Sequence, residues 1–238
     1  PWRDLFALPS FAHADADVAN AVLAGGAEFT RGVLGPLNVV GDEYGCRLEN
    51  GRVITPPGFA QAYREFAAGG WPGLDLPEKF GGQDLPLSVQ AAFAEMVNGA
   101  CVSFGMLPIM LRAGSRLLLE HAEPGLAERI VPKLVSGEWA ATICITEPHA
   151  GSDVGRIRTL AVPRDDGAFA LTGTKIFISY GDHDFTDQIV HLVLARTPDA
   201  PAGTQGISLF VVPARRFDDG AVNGVSVSRL EKKMGLKA

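Results

Sequence analysis

The sequence predicts an α+β multidomain protein, in which an all-α helical domain is followed by an all-β sandwich or barrel domain. In the front half, apolar residues recur at the spacing of amphipathic helices. After Gly137, short β-rich runs are separated by clusters of Gly, Pro, Asp and Asn. Because helices come first and strands second, two packed units are favoured over an alternating parallel sheet, and a Rossmann fold is disfavoured. We expect the helical domain to cover residues 1–137 and the β domain residues 138–238.

Apolar stripes predict the helices of the front half. The predicted helices cover residues 15–34, 59–67, 88–100, 107–121 and 125–135. Pro56 and Pro57 suit the entry into the second of these, since proline fits a first helical turn. Gly25 and Gly26 weaken the first, because each glycine costs about 1 kcal/mol inside a helix.

Short runs rich in β-branched residues predict the strands of the back half. They cover residues 139–145, 157–162, 168–172, 175–179, 189–195, 207–212 and 222–227. The boundary between the two domains is expected at residues 136–139.

Length and charge limit the function classes. The chain has 238 residues, of which 47% are hydrophobic, so it can bury the core of one large or two medium domains. Its 27 acidic and 21 basic residues give a net charge of -6. The sequence has no dense block of Lys and Arg of the kind that binds a nucleic-acid backbone. Nucleic acid is therefore not an expected partner. A phosphate-bearing small ligand remains compatible, because helix N-termini and a few cations suffice to bind it.

The cysteines and the hydropathy pattern predict the compartment. Cys46, Cys101 and Cys144 are odd in number and far apart, which argues against a disulfide framework and a zinc site and favours a reduced, cytoplasmic setting. The sequence shows neither a leader peptide nor about 18 uninterrupted apolar residues, so no integral membrane association is expected. His183, between Asp182 and Asp184, is interpreted as part of a solvated acidic loop, and no metal site is expected.

Two motifs carry the predicted chemistry. In residues 143–153, a strand ends at Thr146 and the chain turns through Pro148 into small residues that let backbone approach a ligand closely. In residues 175–179, strand alternation places Phe177 and Ser179 on one face. Together these features indicate a flat, hydrogen-bonding ring joined to a pyrophosphate. As the alternative, Thr146 and Ser152 would only satisfy backbone groups of a turn.

Glu147 lies inside the first motif and is a tempting general base. A carboxylate beside a proline in a turn more often caps or orients the backbone. We therefore interpret Glu147 as structural.

The motifs resemble the acyl-CoA dehydrogenase family. The matching segments are residues 146–153 and 173–179, 71–74 with 80–82, and 231–235, in family order between about Phe59 and Ala238. The resemblance implies FAD as cofactor, α,β-dehydrogenation of an acyl-CoA thioester to the 2-enoyl-CoA, and transfer of electrons to an electron-transferring flavoprotein. Loops at residues 55–59, 179–184 and 198–204 are similar to those of large bacterial members that act on 3-methylthiopropanoyl-CoA and similar short acyl-CoAs.

The resemblance also implies which residues hold the cofactor, all in the β domain. They are Ile143, Cys144, Ile145, Thr146, Gly151, Ser152, Phe177, Ile178 and Ser179. Thr146 would bond the pyrimidine side of the flavin ring, Phe177 would pack on the ring, and Ser179 would reach toward N5. Ser152 would lie near the pyrophosphate and the thioester arm, and is thus also a substrate-binding residue.

The family's catalytic glutamate usually comes from a second helical domain, which is absent from this chain. No residue is therefore nominated as catalytic, and the chain is expected to be part of a longer enzyme that forms a homodimer or homotetramer. Two alternatives stay open: a non-catalytic, FAD-cradling subunit of a heteromeric complex, and an acyl-CoA oxidase.

Overall fold

The computed structural model describes residues 2–238 and, within them, the side chains from Asp4 onward. The helices are α1 Trp2–Phe6, α2 Ala16–Phe29, α3 Gly35–Tyr44, α4 Phe59–Ala68, α5 Leu87–Ala100, α6 Val102–His121 and α7 Pro124–Val135. The strands are β1 Arg47–Glu49, β2 Arg52–Ile54, β3 Ala140–Cys144, β4 Leu160–Pro163, β5 Phe169–Thr172, β6 Ile189–Ala195 and β7 Ser208–Pro213. Helices precede the main sheet, which confirms the predicted α+β order. A small hairpin, β1–β2, was not predicted within the helical half.

The first predicted helix is longer than its pattern indicated. Asp15 caps α2 by accepting the backbone N–H groups of Asp17 and Val18, both at 2.9 Å. A π-helical stretch, Thr30–Leu34, then joins α2 to α3, so the helix continues to Tyr44. Pro36 lies in the first turn of α3, where it is tolerated.

The central helix is α6, which begins at Val102 rather than at the predicted residue 107. Phe104, Leu107 and Leu118 on its buried face join the hydrophobic core. Among residues 2–238, α6 is the helix that is long and apolar enough to cross a membrane, with a mean hydropathy of 1.3. Its packing against α5, α7 and β3 is that of a core helix.

The β half contains a three-stranded mixed sheet of order β3-β6-β7 and a separate β4–β5 hairpin. Strand β3 runs parallel to β6, which pairs antiparallel with β7. The predicted strands at residues 175–179 and 222–227 are wrong. Phe177 has a φ of +58° and Gly224 a φ of +68°, and these left-handed conformations interrupt an extended strand.

One hydrophobic core extends across the expected boundary between the halves. Ala141 and Leu192 of the sheet pack in the same cluster as Leu107, Leu111 and Leu118 of α6. The sheet is thereby fixed against the central helix, and its other face is left for the cleft described next.

Candidate functional site

A cleft of about 2170 Å³ lies beside the three-stranded sheet. Cys144, His191 and Val193 line it from β3 and β6, and residues 173–182 and 223–238 line it from outside the sheet. Lys and Arg outnumber Asp and Glu among the lining residues. The cleft is therefore suited to a large ligand that carries negative charge.

The structure brings the two predicted motifs together by backbone contacts. The N–H of Ile176 donates to the carbonyl of Thr146 at 2.9 Å, and Lys175 Nζ donates to the carbonyl of Ile145 at 3.0 Å. Four of the nine predicted cofactor residues line the cleft: Cys144, Phe177, Ile178 and Ser179. The other five lie next to it on β3 and the following turn, outside the lining: Ile143, Ile145, Thr146, Gly151 and Ser152.

Three hydroxyls at these motifs are free to bind a ligand. Within residues 2–238, the side chains of Thr146, Ser152 and Ser179 make no hydrogen bond, although Thr146 and Ser179 are half-buried. The alternative in which Thr146 and Ser152 merely satisfy backbone groups of the turn is therefore wrong. The turn closes instead through its backbone, since Glu147 and Ala150 exchange N–H to carbonyl bonds of 2.9 and 3.0 Å.

Glu147 is buried and fully engaged. Its carboxylate accepts hydrogen bonds from Lys175 Nζ at 2.8 Å, Thr159 Oγ1 at 2.5 Å and the backbone N–H groups of Arg158 and Thr159 at 2.8 and 3.0 Å. Burial by itself raises the pKa of this carboxyl, but the bonds from Lys175, Thr159 and the two amides outweigh burial and lower the pKa to about 2. The structural role predicted for Glu147 agrees with this geometry, because so weak a base cannot remove a carbon-bound proton.

Phe177 and Ser179 share the cleft, but not because they alternate on a strand. The predicted strand alternation is wrong, because no strand forms there. Two residues adopt left-handed backbone conformations instead: Phe177 at φ +58° and Tyr180 at φ +52°. Each such non-glycine conformation costs about 1–2 kcal/mol. Phe177 nevertheless stays 54% exposed at the cleft, with Lys233 Nζ over its ring at 5.8 Å from the centroid.

The acidic loop after this segment is solvated only in part, because Asp184 is exposed as predicted whereas Asp182 is largely buried and His183 fully buried. Asp182 forms an ion pair with Arg52 at 2.9 Å and accepts the backbone N–H of Val53, while Asp184 accepts the Thr55 hydroxyl at 2.6 Å. These contacts join the β1–β2 hairpin and the residue after it, Thr55, to this loop. Across the part of the chain that the structure describes, His, Cys, Asp and Glu nowhere cluster in threes that could hold a metal ion.

Two buried histidines were not recognised as site features from the sequence. His183 is fully buried and stacks on Phe185 at 4.0 Å, and within the described part of the chain neither of its ring nitrogens has a hydrogen-bond partner. His191 lines the cleft, and its Nδ1 lies 2.8 Å from Thr142 Oγ1. Burial lowers the pKa of both imidazoles to about 4, so both are neutral at pH 7. The apolar neighbours Val190 and Leu192 signalled the burial of His191, whereas His183, between Asp182 and Asp184, carried no local signal of burial.

The carboxylates that face the cleft have partners. Asp166 pairs with Arg164 at 3.0 Å, Glu231 with Arg229 at 2.8 Å, and Asp182 with Arg52. Asp218 accepts the N–H of Asp219. Cys144 is a buried thiol whose pKa burial raises, so it is no nucleophile at pH 7. Within residues 2–238, each carboxylate that lines the cleft thus accepts a hydrogen bond or pairs with an arginine, an arrangement that suits binding and orientation of a ligand better than removal of a proton.

Comparisons with known proteins agree with this arrangement. Residues 50–138 match the model described as acyl-CoA dehydrogenase, N-terminal domain, and residues 142–238 match acyl-CoA dehydrogenase, middle domain. The chain is 43% identical to a 3-methylmercaptopropionyl-CoA dehydrogenase of Ruegeria pomeroyi over 241 residues, an alignment that covers 100% of this chain and 41% of that protein.

Solved structures show the same fold. A butyryl-CoA dehydrogenase of Megasphaera elsdenii superimposes with a TM-score of 0.68 at 22% identity, covering 84% of this chain and 49% of that chain. An FAD complex of PigA superimposes with a TM-score of 0.66 at 21% identity, covering 84% and 48%. The chain thus spans less than half the length of each of these proteins. By both domain models and by its fold, the chain belongs to the acyl-CoA dehydrogenase family, whose N-terminal and middle domains it carries.

Proposed function

We propose that this chain forms the FAD-binding half of an enzyme that dehydrogenates an acyl-CoA thioester to its 2-enoyl-CoA. The observation that carries the proposal is the set of unpartnered hydroxyls, Thr146, Ser152 and Ser179, on two motifs hydrogen-bonded to each other at the cleft of a chain from this family.

The residues present fit FAD. The cleft of about 2170 Å³ exceeds the roughly 300–1,000 Å³ of an ordinary ligand pocket. The exposed face of Phe177 can pack against a flat ring, and the excess of cations can balance a pyrophosphate. Thr146 and Ser179 would hold the ring, and Gly151 and Ser152 would lie at the pyrophosphate. When bound, FAD supplies the acceptor for the hydride, which no side chain of the protein can replace.

The chain's own residues are proposed to bind and orient rather than to move the proton. Glu147 is held as an ionised, weakly basic carboxylate. Of the carboxylates that line the cleft, Asp166, Asp182 and Glu231 pair with arginines, and Asp218 accepts the N–H of the next residue. We therefore place the base that removes the α-proton outside residues 2–238. The CoA arm is proposed to pass Ser152.

Substrate, partner and setting are proposals of the same kind. The relative from Ruegeria pomeroyi, at 43% identity, favours 3-methylthiopropanoyl-CoA or a similar short acyl-CoA as substrate. We further propose an electron-transferring flavoprotein as electron acceptor, a homodimer or homotetramer, and a cytoplasmic location.

The cofactor site is tested by flavin absorbance of the purified full-length protein. We expect bound FAD in the parent, and at least tenfold weaker FAD binding in Thr146→Ala and Ser179→Ala. Ser88→Ala is the matched control, because Ser88 is exposed at the start of α5 and does not line the cleft. Equal FAD affinity in all three variants would remove the site assignment.

The reaction is tested by bleaching of the flavin with a panel of acyl-CoAs under nitrogen. Reduction by short acyl-CoAs supports the dehydrogenase. If FAD is bound and no acyl-CoA reduces it, the non-catalytic subunit is correct. Stoichiometric hydrogen peroxide during turnover in air would instead identify an oxidase.

A further inference from the structure

The segment from Lys175 to Tyr180 contains energetically unfavourable backbone conformations. Phe177 and Tyr180 both have positive φ values, +58° and +52°, although neither is a glycine. Bulky residues keep such conformations only where the surrounding structure over-determines them. The contacts that hold this segment should therefore be identifiable.

At its start, the segment is fixed by Lys175. The Lys175 side chain is 10% exposed, and its Nζ donates both to the carbonyl of Ile145 at 3.0 Å and to Glu147 Oε1 at 2.8 Å. The next residue, Ile176, donates its N–H to the carbonyl of Thr146. One buried ammonium group thus joins the end of β3, the turn after it and the segment.

The other partner of this ion pair, Glu147, is itself held by several hydrogen bonds. Besides Lys175, Glu147 accepts hydrogen bonds from the Thr159 hydroxyl and from the N–H groups of Arg158 and Thr159. His149 Nε2 lies 3.3 Å from Glu147 Oε2 on the side of the turn. Lys175 is consequently tied to a support that reaches to the start of β4.

At its end, the segment is fixed to the helical half. The Tyr180 hydroxyl donates to the carbonyl of Ser103 at 2.9 Å, and Asp182 pairs with Arg52. The residues held between these two anchors are Phe177, with its exposed ring, and Ser179, with its unpartnered hydroxyl.

We propose that Lys175 and Glu147 are positioning residues, whose buried ion pair holds residues 176–179 in the strained conformation that presents Phe177 and Ser179 to the flavin. The presentation to flavin rests on the proposed function, whereas the holding of the segment does not. Neither residue is proposed to touch the substrate.

Three variants of the full-length protein separate positioning from simple stability. Lys175→Met removes the ammonium and leaves Glu147 buried and unpaired, which is destabilising. The double variant Glu147→Gln with Lys175→Met removes both charges, so its folding stability should lie between those of Lys175→Met and the parent. The hydrogen bond from Lys175 to the carbonyl of Ile145 stays absent in the double variant. Lys133→Met is the matched control, since it breaks an exposed ion pair with Glu138 at 2.7 Å.

The first measurement needs no flavin. In apoprotein, we expect hydrogen exchange of a peptide covering residues 175–182 to be at least tenfold faster in Lys175→Met and in the double variant than in the parent, and unchanged in Lys133→Met. Parent-like exchange in a folded double variant would overturn the proposal. If Lys175→Met fails to fold, the double variant decides.

The second measurement uses FAD. We expect the FAD dissociation constant to rise at least tenfold and the visible flavin bands to shift in the double variant, even where its unfolding midpoint has recovered. Recovery of flavin affinity and spectrum together with stability would show that the pair is merely structural. A parent protein that binds no FAD would sink the proposed function, and the exchange comparison would still decide whether the ion pair holds the segment.

Discussion

At the scale of single residues, buried titratable groups surround the cleft, and each is accommodated differently. Glu147 is ionised and accepts several hydrogen bonds, and His191 is neutral and bonded to Thr142. His183 is neutral and stacks on Phe185, while its ring nitrogens have no hydrogen-bond partner among the described residues. Protonation or substitution of each group removes different interactions. The free energy of unfolding should therefore respond differently to each substitution and to pH.

Ionised Glu147 should stabilise the folded chain, and this stabilisation should be lost at low pH. Its pKa falls from 4.5 to about 2 in the folded chain, so its contribution is complete above about pH 4.5 and is lost as the pH falls toward 2. At about 1.4 kcal/mol per pKa unit, the contribution is about 3 kcal/mol. Urea unfolding of the parent and of Glu147→Gln between pH 6 and 3 should show a stability difference that is constant above pH 4.5 and shrinks below it.

The control for this prediction is Glu138→Gln, which removes a half-exposed carboxylate that pairs with Lys133. Its stability difference from the parent should stay small at every pH. A Glu147→Gln difference that persists unchanged to pH 3 would contradict the lowered pKa.

His183→Phe should stabilise the protein, whereas His191→Phe should destabilise it. The first change removes two buried ring nitrogens that lack partners and keeps the stack on Phe185, a gain of about 1 kcal/mol at pH 7. The second removes the bond to Thr142, a loss of about 1 kcal/mol. Free energies of unfolding at pH 7 distinguish the two, and a loss in both would contradict the assignment of His183.

His183 and His191 should also make the folding stability depend on pH. A histidine that titrates near 4 when folded and near 6.5 when unfolded contributes stability above pH 6.5 that is lost as the pH falls toward 4. Each His→Phe variant should therefore lose less stability than the parent between pH 6.5 and 4.5.

Residue types and their order were enough to find the two motifs that the structure brings together beside the cleft, but not their local geometry. The alternation expected at Phe177 and Ser179 failed because a positive φ leaves no periodic signal in the sequence. The loop at Asp182 was misread as solvated because its partner, Arg52, lies 130 positions earlier in the chain. Such long-range pairing cannot be read from a local pattern of acidic residues.

At the scale of elements, the sheet and the central helix meet at a glycine. A Cβ at Gly114 of α6 would lie 3.0 Å from the Cβ of Ala141 on β3 and 3.5 Å from Leu192 Cδ1 on β6. The absence of a side chain lets the helix lie close to the sheet. Helical periodicity predicted this helix, but its true start at Val102 was missed because Gly105 and Pro108 obscure the first turns.

Gly114→Leu should therefore separate α6 from the sheet. Overpacking of this kind costs about 1–3 kcal/mol, and we expect the upper end because both neighbours are fixed in the core. The control is Gly99→Ala in α5, where an added Cβ meets nothing within 4 Å, so stability should rise by up to about 1 kcal/mol. Thermal unfolding of the two variants measures both effects, and equal losses would show that glycine flexibility, not close packing, matters at residue 114.

At the scale of the whole molecule, the two halves are joined by more than a linker. Their shared core is supplemented by the Tyr180 hydroxyl, which donates to the carbonyl of Ser103 at 2.9 Å, and by the Asp182–Arg52 ion pair. The cleft lies where these contacts meet. The family match divides the chain into two domain models, but one hydrophobic core includes residues of both.

The chain should accordingly unfold in a single transition. Trp71 packs on Phe93 at 4.6 Å in the helical half, and Trp139 packs on Phe217 at 5.6 Å beside the sheet, so two tryptophans report on the two halves. With Trp2 changed to Phe throughout, Trp139→Phe leaves one reporter and Trp71→Phe leaves the other. Fluorescence in urea should give the same slope for both reporters, and each reporter's midpoint should coincide with that of far-ultraviolet circular dichroism in the same variant.

Adding Arg52→Met to each single-tryptophan variant sharpens this test. Arg52 of the helical half pairs with Asp182 of the β half. If the halves unfold together, loss of Arg52 should lower the urea midpoints of both reporters by the same amount. A shift in the Trp139 reporter alone would mean that the β half unfolds by itself. In that case the cleft would be fixed within one domain, and the anchors at Ser103 and Arg52 would not be needed to shape it.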